Sequence, residues 1–253
     1  VDYDPVAPSY DRRYEVNRLE GVAVLLRGLA AGAGGGAALE VGCGTGRWLA
    51  EVQSVASHVV GLDLSPGMLG RARQREAAPS VVCGEAGALP FPSATFDMLY
   101  CVNAVHHFAR PQRFMAEARR VLRRGGRLAV VGMDPHERRD RWYIYDYFAG
   151  TLALDLKRFP SGAALAAWMT EAGFEDVDRR VAERISGSLE GRAVLDDHFL
   201  RKGGTSQLTL LSDEAYEEGL RRIRAALAEV EARGQSLAFS VDIALMAVTA
   251  RAA

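Results

Sequence analysis

Cysteine is scarce in this chain: three in 253 residues, at Cys43, Cys83 and Cys101. An odd number with no pair at metal-ligand spacing excludes a disulfide framework and a zinc knuckle, and no metal site is expected. All three fall in or beside expected core strands, where a free thiol serves as a small buried hydrophobe. That usage suggests a reducing compartment, the cytoplasm. Net charge is nearly absent: 31 Lys and Arg against 32 Asp and Glu leave a formal −1. No global field therefore steers the chain to nucleic acid or to an anionic membrane. Long apolar runs are missing as well. The most apolar late stretch, 236–250, is interrupted by Asp242 and is too short to span a bilayer. Residues 1–14 carry acids and prolines without the apolar core of a signal peptide.

What the chain does have is an ordinary globular balance, 49% apolar and 25% charged, with length enough for one sizeable core. Val16, Leu19, Val22, Ala23, Leu26 and Leu29 recur at helical spacing over 16–30, and the glycine-rich 32–36 ends that helix. Strands are expected at 37–41, 59–63, 80–83, 96–102 and 127–133. Helices are expected between them at 45–55, at 66–77 with proline in its first turn, and at 111–123. Such alternation means a parallel sheet with helices on both faces. Past residue 133 the pattern loosens. The aromatic-rich 136–159, with Trp142, Tyr143, Tyr145, Tyr147, Phe148 and Phe159, fits a helical excursion that is either plain core or the wall of a small-molecule pocket. A helix at 161–172, a strand at 174–181, a helix at 213–233 and a last strand at 237–248 complete the reading. Arginines cluster at Arg119, Arg120, Arg123, Arg124 and Arg127, and again at Arg138, Arg139 and Arg141. A solvated helix face and turn accounts for them, with an anionic partner as the alternative.

The most informative segment is Leu39-Glu40-Val41-Gly42-Cys43-Gly44-Thr45-Gly46, with Asp63 closing the next apolar stretch. It reads as strand, glycine turn and helix start. Three glycines at alternate positions can take positive φ and bring bare backbone close to a ligand. A dinucleotide fingerprint wants a third glycine one position later, where this chain has Arg47, and an acid at Glu40 suits a pyrophosphate poorly. A cationic or zwitterionic ligand suits it better.

Residues 40–46 resemble motif I of the class I S-adenosylmethionine-dependent methyltransferases. Further resemblances follow in order: 58–69 to the second strand with its ribose-binding acid, 84–92 and 95–100 to the third loop and fourth strand of the small-molecule, type-11 branch, and 120–128 to the turn into the fifth strand. Together they cover about 37–133. The resemblance implies a Rossmann-like, doubly wound α/β fold: a mostly parallel seven-stranded sheet with an antiparallel last strand. The whole of 1–253 is then one methyltransferase domain, with 1–36 an N-terminal helical cap and 37–181 and 237–253 the sheet core. Where the family has a tight hairpin, this chain has 182–236, a helical insertion. If the sixth strand runs parallel to the first five, that insertion starts at the carboxyl edge of the sheet, where ligands bind in open α/β folds. It is a candidate substrate lid; a dimer contact or a stability patch is the alternative, and a homodimer stays open.

The resemblance also implies a site. Asp63 would hold the ribose hydroxyls of S-adenosylmethionine, and later of the product S-adenosylhomocysteine. Leu64 and Met68 would give apolar contact, ordinary core packing being the alternative for both, and Glu85 with Ala86 would hold the adenine. The amino-acid tail would meet the turn formed by Glu40, Gly42, Cys43 and Gly44, with its ammonium near a carbonyl around Asn103. Tyr10 or Arg18 would fold over it. Methyl transfer to an oxygen, nitrogen or carbon of a small organic molecule depends chiefly on positioning, so a base is optional. His106 and His107, just past the fourth strand, are the candidates for one, capping of the strand end being the alternative. Asn103-Ala104-Val105-His106 stands where enzymes that methylate exocyclic amines of DNA bases carry Asn/Asp-Pro-Pro-Tyr/Phe, which argues against a nucleic-acid substrate. Two other readings remain: a protein that binds the sulfonium cofactor without methyl transfer or for another reaction, and a nicotinamide-dependent oxidoreductase.

Overall fold

The computed structural model describes residues 4, 7, 10, 11, 14, 17–75, 79–137 and 140–253. Val16, Ala77, Arg138 and Arg139, assigned above to a helix start, a helix end and an arginine cluster, lie outside them. The first half alternates as expected: α1 Glu20–Gly32, β1 Ala37–Val41, α2 Arg47–Gln53, β2 His58–Asp63, α3 Pro66–Ala72, β3 Ser80–Cys83, β4 Phe96–Val102, α4 Pro111–Val121 and β5 Leu122–Met133. β1 pairs in parallel with β2 and β4, β2 with β3, and β4 with β5.

Period-two alternation in the central strands sorts side chains onto two faces. Ala38, Met98, Tyr100, Ala129 and Val131 join one core with Val22, Leu26, Trp48 and Leu49 from α1 and α2. Leu39, Val41, Leu99, Leu128 and Val130 join the other with Phe114, Met115 and Ala118 from α4. The doubly wound layering follows from that division. Of the cysteines, Cys43 and Cys101 are buried as expected, whereas Cys83, at the end of the edge strand β3, is exposed.

The second half departs from the expected pattern in three ways. The aromatic stretch breaks into β6 Arg141–Trp142, α5 Tyr143–Tyr147 and α6 Thr151–Arg158, followed by α7 Gly162–Glu171. The sixth long strand, β7 Phe174–Glu190, does not stop at residue 181, so residues 182–190 belong to the sheet and not to the insertion. Its partner β8 Ala238–Ala252 pairs with it antiparallel from Phe174↔Ala252 to Glu190↔Ala238. That pairing supplies the hydrogen bonds that carry β7 past its apolar run. The sheet thus has eight strands, not seven, the extra one being two-residue β6. β8 runs antiparallel to β5, so β7 is parallel to the first five. β6 meets β8 at Val241 and Asp242, residues that β7 also pairs, so β6 lies on the edge of β8 that β5 occupies lower down.

The remaining insertion is helical: short turns at Gly191–Asp196 and His198–Leu200, then α8 Ser206–Thr209 and α9 Asp213–Glu231. α9 faces the body through buried Gly219, Ile223 and Leu227. No helix among the described residues is long and apolar enough to cross a membrane.

Two helix glycines give opposite expectations. A Cβ on Gly219 would fall 2.1 Å from the Phe148 ring, and one on Gly28 would meet nothing within 4 Å. Gly28→Ala is expected to raise stability by up to about 1 kcal/mol through helix preference. Gly219→Ala is expected to lose roughly 1–2 kcal/mol because overpacking outweighs that gain. Urea unfolding of both variants checks this, and equal gains would refute the packing of α9 on Phe148.

Candidate active site

β1 delivers the chain into the glycine turn at the carboxyl edge of the sheet. Gly42, Gly44 and Gly46 take φ of 77°, 51° and 77°, a region costly for residues with a Cβ. At Gly42 a Cβ would sit 2.4 Å from that of Ala104, and at Gly44 it would meet nothing within 4 Å, because that position opens onto a cavity. Four of the turn's donors are engaged within the protein: Gly42 N and Cys43 N donate to Leu62 O at 2.7 and 3.0 Å, and Gly46 N donates to Cys43 O at 2.9 Å. Gly44 N donates to Asp63 Oδ2 at 2.7 Å. What Gly42 and Gly44 have left for a ligand is carbonyl oxygen. A pyrophosphate needs N–H donors, whereas an ammonium needs acceptors.

Asp63 is fixed from both sides, its Oδ1 accepting from Ser65 N at 2.9 Å. Burial lifts its carboxyl above the usual 3.8, against the pull of backbone N–H groups from Ser65, Gly44 and Leu64. Ser65 meanwhile caps α3 by accepting from Met68 N. The cavity beyond measures about 480 Å³. Of the residues expected around a cofactor, Tyr10, Gly42, Gly44, Asp63, Leu64, Met68, Glu85, Ala86 and Asn103 line it. Leu64 is 69% exposed, an apolar side chain held at the rim.

Glu40 and Cys43 do not line it. A β-strand alternates its side chains, so Glu40 turns to the α1–α2 face, fully buried. Neither of its carboxylate oxygens has a hydrogen-bond partner among the described residues. Burial first, then the charge of Asp63, pushes its pKa well above 4.5, with a smaller opposing pull from Tyr100. Cys43 packs its sulfur against Gly61, and burial pushes that thiol up as well. Arg18 is exposed and away from the cavity.

Sequence reasoning missed the part played by Asp4 and Asp11. Asp4 lines the cavity and accepts from Gly67 N at 3.0 Å and from the Ser65 hydroxyl. Asp11 takes the Thr45 hydroxyl and Arg75 Nη2, the latter at 2.8 Å. Acids spaced along an otherwise unpatterned N-terminal stretch were the available signal. With Tyr14 set edge-on to Trp48 at 6.0 Å, these residues form a strap beside the turn.

A second cavity of about 350 Å³ adjoins the first and shares Tyr10, Asn103 and His107 with it. The β7–β8 arm contributes Ile185, Ser186, Ser188, Val241 and Ile243, and the insertion contributes Asp197, Phe199, Ser206 and Gln207. Of the aromatic segment, Trp142 and Phe159 reach this cavity, while Tyr143 and Phe148 are core, so the two readings divide between residues. His106 faces this cavity but not the first. Its ring stacks on Phe159 at 3.9 Å and 13°, and tilts against His107 at 3.9 Å. Burial, then the charges of His107 and Arg158, hold its pKa well below 6.5, so it is neutral at physiological pH. Behind the wall, buried Asp155 accepts from Tyr145 Oη at 2.8 Å and from Gln207 Nε2 at 2.6 Å.

Comparison with known proteins agrees with this architecture. Residues 39–130 match the family model described as a methyltransferase domain. The chain is 36% identical over 144 residues to a chloroplastic 2-methyl-6-phytyl-1,4-hydroquinone methyltransferase of Oryza sativa, covering 55% of this chain and 39% of that protein. It is 28% identical over 200 residues to a demethylmenaquinone methyltransferase of Renibacterium salmoninarum, covering 70% and 84%. The YcgJ protein of Bacillus subtilis shares the fold with a TM-score of 0.60 at 17% identity, covering 91% of this chain and 97% of that one. Residues 39–130 are thus a methyltransferase domain of the class I, S-adenosylmethionine-dependent kind, in the type-11 branch.

The orphaned carboxylate of Glu40 gives a pH test. A raised native pKa means the native state holds a proton that the unfolded chain releases, so stability falls as pH rises above about 4.5. Glu40→Gln removes that loss. Urea unfolding of the ligand-free protein is expected to show Glu40→Gln gaining on the parent by at most about 1.4 kcal/mol per pH unit above that point. A difference independent of pH would show that Glu40 is not buried as described.

Proposed function

We propose that the chain transfers a methyl group from S-adenosylmethionine to an oxygen, nitrogen or carbon of a small organic molecule. The observation that carries this reading is that Gly42 N and Cys43 N are spent on Leu62 O and Gly44 N on Asp63. The turn offers acceptors to the ligand, above a buried carboxylate at Glu40. Acceptors fit a zwitterion's ammonium and a sulfonium, and they disfavour the pyrophosphate of a nicotinamide cofactor.

The residues divide the work by position. Asp63, already aligned by Gly44 N and Ser65 N, keeps lone pairs for a ribose diol. Glu85 and Ala86, which line the same cavity, are the residues for the adenine, with Leu64 and Met68 as apolar contacts. When bound, S-adenosylmethionine supplies a methyl group made electrophilic by its positive sulfur. Tyr10, Asn103 and His107 line both cavities, so the acceptor's nucleophilic atom belongs beside them. Holding it there supplies much of the rate. His107 on the shared wall, rather than His106, is the better placed proton acceptor for an O–H or N–H nucleophile. His106, stacked on Phe159, keeps it in place. The hairpin arm and residues 191–209 exclude water from the second cavity and act as its lid.

Calorimetry with S-adenosylmethionine, S-adenosylhomocysteine and NADH tests the reading. The first two are expected to bind, NADH is not, and Asp63→Ala is expected to weaken S-adenosylhomocysteine by at least about tenfold through two lost charge-assisted hydrogen bonds. NADH binding with neither adenosyl ligand bound would overturn it.

A further inference from the structure

Among the described residues lining the second cavity, one carries a fixed formal charge: Asp197. We propose that this cavity selects a compact aromatic acceptor bearing a protonated amine, with Asp197 binding the ammonium and the attacked atom lying elsewhere on the molecule. The word acceptor rests on the methyl-transfer reading above.

The Asp197 carboxylate is held ready. Oδ2 accepts from Tyr143 Oη at 2.6 Å and Oδ1 from Phe199 N at 3.0 Å. Each oxygen retains a lone pair, and the side chain needs no ordering when a ligand arrives. Capping the short turn at His198–Leu200 does not by itself call for a charge. Among the described residues, the four α-helices whose own N-cap side chain closes the first turn use hydroxyls, at Ser65, Ser161, Thr205 and Ser212. The hydroxyl cap at Thr205 lines this cavity too, so a neutral cap is compatible with the site and the acid at position 197 is not required for capping there.

The surroundings favour a cation over an anion. The nearby Arg158 guanidinium lies over the Phe159 ring at 5.5 Å and pairs with Asp155 at 3.6 Å, behind the wall. It does not line the cavity. Tyr14, Trp142, Phe159 and Phe199 line it with aromatic rings, which attract cations through their faces and receive a planar ligand through their area. Since a cavity of ~150 Å³ holds one benzene, about 350 Å³ suits one or two rings and leaves no enclosed room for a long alkyl tail. Asp197 lines the second cavity and not the first. An amine bound there is therefore the anchor, and the nucleophile reaches toward Tyr10, Asn103 and His107.

The test uses two probes of matched shape, 2-phenylethylamine and 3-phenylpropionate, titrated against the protein with and without saturating S-adenosylhomocysteine and followed by saturation-transfer NMR. The amine is expected to bind at least about tenfold more tightly than the carboxylate. Asp197→Asn, which keeps the Phe199 cap, is expected to erase that preference while binding S-adenosylhomocysteine as the parent does. Equal binding of the two probes, no binding of either, or a preference that survives in Asp197→Asn overturns the assignment. An amine preference without any S-adenosylhomocysteine binding leaves the amine cavity standing and removes the methyl-transfer reading instead.

Discussion

The hydrogen bond from Gly44 N to Asp63 Oδ2, 2.7 Å long, is the constraint on which the rest of the site depends. It joins the end of β1 to the end of β2 and fixes the carboxylate. It also withdraws a peptide donor from the cavity. With Gly42 N and Cys43 N bound to Leu62 O, the turn has the opposite polarity to a phosphate-binding loop, although both are rich in glycine. Polarity at this turn, more than glycine content, decides between an ammonium-bearing and a phosphate-bearing ligand.

The positions where glycine is required differ in kind. At Gly42 the left-handed backbone and the nearby Ala104 both refuse a Cβ. At Gly44 the backbone conformation alone does so, because the space beside it is open. Glu40 adds a cost of a different sort, a buried carboxylate without a partner. Burial alone favours an apolar residue there.

The parallel half of the fold, the glycine turn and Asp63 were legible in the sequence because they are local: short apolar runs, a Ser65-Pro66 helix start and three alternating glycines each act within a few residues. Glu40 and Cys43 do not line the first cavity, because a turn motif names positions and not the direction of side chains: strand alternation turns Glu40 into the core, and Cys43, in the turn past β1, packs its sulfur against Gly61. β7 was read too short because its residues past 181 are mostly polar. They extend through long-range pairing with β8, which no local pattern reports. The second cavity was the least legible part, since it gathers residues from Tyr10 to Leu245 that share no spacing.

Tyr10, Asn103 and His107 each belong to two cavities at once. Whatever first settles against them also shapes the wall that the second occupant meets, so the two affinities are thermodynamically linked and each ligand changes the other's by the same factor.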